Sequence, residues 1–148
     1  MRERAPVRSR LRVRTRLVAA GAAVATVLAG LGIRALADGD LAKYAGDALY
    51  TVLVCALAAV IAPGARPAGW AGAALAVSWA VELAQLTGVP GELSRRSAVA
   101  HLVLGSTFNA PDLLWYAVGA GFGWAVAAGW RRVRGWPDPC EGCPSGHS

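Results

Sequence analysis

"WAVELAQL", residues 79–86, sets a carboxylic acid and a carboxamide, Glu82 and Gln85, in a run of tryptophan, alanine, valine and leucine that would otherwise suit hydrocarbon. Three residues apart, the two polar side chains share one helix face. Whether this is a membrane helix or a soluble core helix decides the fold, and the surrounding chain answers.

Of the 148 residues, 55% are hydrophobic and 16% charged, and the mean hydropathy is positive, which fits one compact unit. A soluble domain of this size would carry more charge, evenly spread. Here seven of the fifteen basic residues precede residue 17 (Arg2, Arg4, Arg8, Arg10, Arg12, Arg14, Arg16), and Arg131, Arg132 and Arg134 follow the last apolar run. Basic clusters flanking apolar segments orient membrane proteins, and this explains the net charge of +6 better than nucleic acid does. The bilayer is the expected partner; nucleic acid is not.

Four stretches approach the roughly 20 residues that a hydrocarbon core of about 30 Å requires: 17–36, 46–62, 69–87 and 111–130. Their alanine and glycine content favours packing against one another. The expected fold is therefore all-α, a four-helix transmembrane bundle over 17–130. A basic tail (1–16) precedes it and a tail expected to be disordered (131–148) follows. An inside amino terminus puts eleven Arg and Lys residues in the cytoplasm and leaves Arg34, Lys43, Arg95 and Arg96 outside. The expected localisation is the bacterial plasma membrane, multi-pass, with both termini cytoplasmic. Trp70 and Trp130 then fall near the inner interface and Trp115 near the outer one. A rival reading of the first span is a secretory signal cleaved after A-L-A at 35–37, which would give a mature chain beginning at Asp38.

The turn P-G-A-R-P-A, 63–68, forces the second and third spans into a hairpin. The third connection, 88–110, carries L-S-R-R-S-A-V-A-H-L-V-L-G, whose apolar and polar sides predict a short interfacial helix ended by Gly105.

In this topology Asp47 and Asp112 stand in the outer first turns of the second and fourth spans, and Glu82 lies some 7–8 Å below the outer end of the third, at about 1.5 Å per residue. Tyr44, Tyr50, Asn109 and Tyr116 reach the same depth. The ordinary reading of Asp47 and Asp112 is stabilisation of a helix start. Glu82 cannot cap its helix. A charge at the membrane centre costs about 2.5–3.5 kcal/mol on insertion scales, so it needs compensation. That would come from hydrogen bonds to Gln85 or a tyrosine, an ion pair with Arg95 or Arg96, or a cationic ligand. The candidate ligand-binding set is Glu82, Gln85, Asp47, Asp112, Tyr44, Tyr50 and Tyr116, with His101 at its edge.

No catalytic set, nucleotide fingerprint or cofactor motif is present. G-A-G-F-G, 119–123, has no preceding strand and reads as close helix packing through Gly119 and Gly123. Cys55 reads as a small core residue. Cys140, Cys143 and His147 supply three metal ligands where a structural zinc site usually takes four, so no metal is expected.

Y-x-G-D-x-x-Y at 44–50, E-L-x-Q at 82–85 and L-G-x-x-F-x-x-x-D-L-L-x-Y-x-x-G at 104–119 resemble the small bacterial membrane proteins of "domain of unknown function 2809". More distantly, the chain is similar to VanZ-like proteins, a family linked to teicoplanin resistance, although Asn109, Ala110 and Pro111 stand where that resemblance would place an arginine. The first resemblance picks out Tyr44, Gly46, Asp47, Tyr50, Glu82, Gln85, Gly105, Asp112, Tyr116 and Gly119, and implies architecture and location but no reaction.

The leading functional expectation is a non-catalytic membrane protein whose outward polar pocket binds a cationic or polyhydroxylated envelope ligand. The alternatives are a small transporter or proton-coupled carrier, acting as a homo-oligomer, an enzyme on a lipid-linked substrate, and a structural subunit of a membrane complex.

Overall fold

The computed structural model describes residues 4–99 and 108–134, with side chains from Ser9 onward. Five helices follow one another among these residues: α1 (Arg4–Leu36), α2 (Asp40–Ile61), α3 (Pro67–Gln85), α4 (Val89–Arg96) and α5 (Ala110–Val133). No strand occurs among them. His101, Gly105, Cys140, Cys143 and His147 lie outside the described residues.

The side chains are distributed inside out relative to a water-soluble protein. The largest fully buried ones are Glu82, Thr51 and Ser78, whereas Leu17, Leu28, Leu114 and Phe122 are exposed. Water would penalise that surface, and a bilayer would not. Three helical segments are each long and apolar enough to cross a membrane: Ser9–Leu36, Asp40–Ile61 and Ala110–Val133. α3 passes that test only together with α4, from which it is bent by 92°, so the described residues hold three or four candidate spans.

α2 is the central helix. It packs against α1, α3 and α5, and α3 also packs on α5, while α1 touches α2 alone among the described helices. The packed unit is thus a three-helix core with α1 laid on one side. Close approach explains the composition: a Cβ on Gly119 would run into the carbonyl oxygen of Ala48, and one on Gly123 would stand 3.1 Å from Cys55 Sγ. Small residues at such crossings let membrane helices associate without a hydrophobic driving force.

The element boundaries depart from the expected ones for identifiable reasons. α1 continues through the basic stretch back to Arg4, because alternating arginines are good helix formers. α2 begins at Asp40, after Gly39 takes a φ of 83°, not at residue 46. Asp47 is therefore two turns inside its helix and cannot cap it. α3 ends at Gln85, and Gly88, with φ 76°, turns the chain into α4. In the third connection α4 starts at Val89, where Pro90 suits a first turn, and stops at Arg96, so it overlaps only the first residues of the helix expected from Leu93 to Gly105; residues 100–105 of that stretch lie outside the described residues.

At the arginine-rich end, the α2–α3 turn is pinned from three sides. Arg16 Nε donates to Val60 O at 3.1 Å, Trp70 Nε1 donates to Ala62 O at 2.8 Å, and Arg131 donates to Ala65 O with its guanidinium 4.8 Å from the Trp70 ring centroid. Trp70→Phe removes one of two donors to the Ala62 carbonyl at the end of α2 and leaves it only the Ala65 N–H. It should cost about 1–2 kcal/mol, read as a lower midpoint of unfolding in detergent micelles. An unchanged midpoint would show that the turn is held by its arginines alone.

Candidate functional site

At the opposite end of the core, α2, α3 and α5 bring their acidic side chains together. Glu82 is 1% exposed, one turn from the end of α3. Its Oε1 accepts the backbone N–H of Asn109 at 2.6 Å, and its Oε2 accepts the Tyr116 hydroxyl at 3.0 Å. These donors come from the start of α5, so Glu82 ties α3 to α5. The partners proposed from sequence were Gln85, a tyrosine, or Arg95 and Arg96. The tyrosine is the one found, while Arg95 pairs with Glu92 at 3.3 Å on the exposed face of α4.

Asp112 stands in the first turn of α5, where the helix dipole favours a carboxylate. Its side chain does more than that. Oδ1 accepts Asn109 Nδ2 at 2.6 Å, and both carboxylate oxygens lie 2.9 Å from Lys43 Nζ. Asp112 is nearly buried, but the lysine side chain is 44% exposed. Lys43 also sits 5.8 Å from the ring centroid of Tyr44, which stacks on Trp115 at 5.5 Å.

Asp47 lies one turn beyond Lys43 on α2, within electrostatic reach of Asp112, Lys43 and Glu82. Its Oδ2 is buried and has no hydrogen-bond partner among the described residues. Beneath it, Thr51 Oγ1 and Ser78 Oγ share a hydrogen bond of 3.0 Å, both residues fully buried. Tyr50 meets Tyr116 in a tilted pair at 6.3 Å, and Gln85 lies half-buried one turn past Glu82. The three acids and the four tyrosine and glutamine residues singled out from sequence thus fall at one end of the core.

Sequence reasoning missed Lys43, Thr51 and Ser78. Lys43 was counted only as an outer positive charge, although its position four residues before Asp47 puts both on one face of α2. Thr51 and Ser78 stand four residues from Asp47 and Glu82 in their helices, and that spacing was the available signal. Among the described residues no group of three or more His, Cys, Asp and Glu side chains could hold a metal ion.

A sequence model of the family described as "Protein of unknown function (DUF2809)" matches residues 36–120, more than half of the chain. The chain belongs to the DUF2809 family. The matched stretch holds every acid, tyrosine and amide of the site and leaves out Arg12, Arg16 and Arg131. No curated protein and no solved structure matches the chain. Membership in DUF2809 places the site in the part of the protein that the family shares, and it assigns no chemistry to it.

Proposed function

We propose that this DUF2809 protein sits in the bacterial plasma membrane with both termini cytoplasmic and binds a cationic envelope ligand at its outer, acidic end. The observation that carries the reading is a mismatch of charge. Three carboxyl groups, those of Asp47, Glu82 and Asp112, share this end of the core with one ammonium, that of Lys43, which pairs with Asp112 and feels Asp47; Asp47 Oδ2 has no hydrogen-bond partner among the described residues. In a poorly solvated setting an uncompensated carboxylate is costly, so the cluster favours a further positive charge.

The geometry supports a division of labour. Glu82 already accepts two protein donors and is the structural member. Asp47 and Asp112 are the ligand-facing members, and Lys43 is an internal cation that holds Asp112 until a ligand amine displaces it. The half-exposed lysine favours an amine over a purely polyhydroxylated ligand, because like replaces like. The transporter reading has less support: the polar groups continue inward only to Thr51 and Ser78, after which Ala74, Cys55 and Ala59 close the core.

The test is ligand-induced thermal stabilisation across polyamines, aminated lipids and glycopeptides, the last included because of the distant VanZ-like similarity. A stabilising amine should bind Asp47→Asn roughly ten-fold more weakly, the loss of one charged hydrogen bond. It should bind Lys43→Gln more tightly than wild type, since the internal competitor is gone. A panel in which no compound stabilises the wild type, or an Asp47→Asn variant that responds like it, overturns the reading.

A further inference from the structure

The arginine-rich end carries a second feature that the acidic site does not use. A cavity of about 400 Å³ opens between α1 and the α2–α3 turn, lined by Arg12, Arg16 and residues 61–65. Arg12 and Arg16 are four residues apart on one face of α1, so their guanidinium groups converge on the same space. Arg16 spends its Nε on Val60 O, which leaves its terminal nitrogens as donors. The Arg12 guanidinium lies against the backbone of Gly64, 3.7–3.9 Å from where a Cβ would stand.

Neither arginine is balanced by a carboxylate among the described residues. The described ion pairs are Lys43–Asp112 and Glu92–Arg95, both at the other end. All six acids among the described residues, Asp38, Asp40, Asp47, Glu82, Glu92 and Asp112, belong to that end too. Two guanidinium groups with free donors beside an open cavity match the oxygens of a phosphate, and planar bidentate donation is what arginine offers a phosphodiester. The rim is apolar: Ile61 is 78% exposed, and Val13 and Leu17, each next to one arginine, are exposed as well. A free anion has no use for that rim, whereas an acyl chain does.

We infer that the cavity framed by Arg12, Arg16 and the 61–65 turn is a binding site for the headgroup phosphate of an anionic glycerophospholipid. The lipid's acyl chains run along Val13, Leu17 and Ile61. Binding there clamps α1, which touches α2 alone among the described helices, to the turn between α2 and α3.

The full-length protein in detergent micelles, titrated with phosphatidylglycerol and read by native mass spectrometry, tests this. The wild type should retain phosphatidylglycerol. R12Q/R16Q should bind it roughly ten-fold more weakly than R10Q/R14Q does. That second pair removes the same charge from α1 but stands two residues away, about 200° around the helix, and does not line the cavity. Gly64→Val, which keeps every charge and crowds the Arg12 guanidinium, should also weaken binding, and it keeps the test open if R12Q/R16Q fails to fold. Equal losses in the two arginine pairs, equal retention of phosphatidylcholine, or displacement of the lipid by millimolar inorganic phosphate would each overturn the assignment. The first would show a diffuse basic surface, the second no charge selection and the third a free-anion site.

Discussion

Replacing Glu82 by leucine is expected to destabilise the protein by about 2–4 kcal/mol. The leucine keeps the bulk of the side chain and removes both acceptors, which orphans the Asn109 N–H and the Tyr116 hydroxyl at the start of α5. Each buried donor left unsatisfied costs about 1–3 kcal/mol in proteins. Interhelical hydrogen bonds in membranes average nearer 0.6 kcal/mol because the reference state also finds partners, so the sum belongs in the lower part of the range. Glu82→Gln keeps one acceptor but turns an N–H₂ toward the other donor, and should cost about half as much. Tyr116→Phe alone should cost about 1 kcal/mol, yet little or nothing in the Glu82→Leu background, where the hydroxyl has no acceptor to lose. Unfolding by sodium dodecyl sulfate, titrated against a mild detergent, measures all four proteins. A Tyr116→Phe cost that is the same in both backgrounds would mean that the two side chains are not coupled, and the account of Glu82 as the α3–α5 tie would fall.

The second large effect concerns the crossing of α5 over α2. Gly119→Ala sets a methyl against the Ala48 carbonyl, with the Ala48 Cα and carbonyl carbon only 3.0 Å away. These are backbone atoms, so the helices must part. Overpacking of this kind costs about 1–3 kcal/mol and sometimes more; the upper end applies here because no side chain can turn aside. Gly123→Ala meets the Cys55 thiol at 3.1 Å, which can rotate, and should cost about 1 kcal/mol. Gly121→Ala meets nothing within 4 Å and should be neutral or gain up to about 1 kcal/mol, alanine being the better helix former. The order 119, 123, 121 in detergent unfolding is the expected outcome. Equal effects at all three positions would mean that glycine serves flexibility rather than close approach.

Much of this arrangement was legible in the sequence because hydropathy and helical spacing are local quantities. The all-α character, three of the four expected spans and the gathering of Glu82, Asp47, Asp112 and Tyr116 follow from segment lengths and from counting residues to the helix ends. The start of α2 did not, because Asp40, Lys43 and Asp47 look like the end of hydrocarbon, while helix propensity carries the backbone through all three. The Lys43–Asp112 pair joins residues 69 apart in sequence, and no periodicity reports a contact between helices. Thr51 and Ser78 escaped for a subtler reason: small hydroxyls in apolar helices are usually silent packing residues, and only the register of α2 against α3 turns them into a pair. Capping was the wrong role for Asp47, since that reading depended on a helix boundary six residues from the real one.

The right-angle break after α3 bears on how the chain is made. At 19 residues, with Ser78, Glu82 and Gln85 in its second half, α3 is the segment least able to leave the translocon and dissolve in lipid by itself. Ser78 is matched in the fold by Thr51 on α2 and Glu82 by the start of α5, so the retention of α3 depends on a neighbour that precedes it and on one still to come. The polar half of α3 is thus expected to stay in the bilayer only with α2 already beside it, and to find its last partners once α5 has been made.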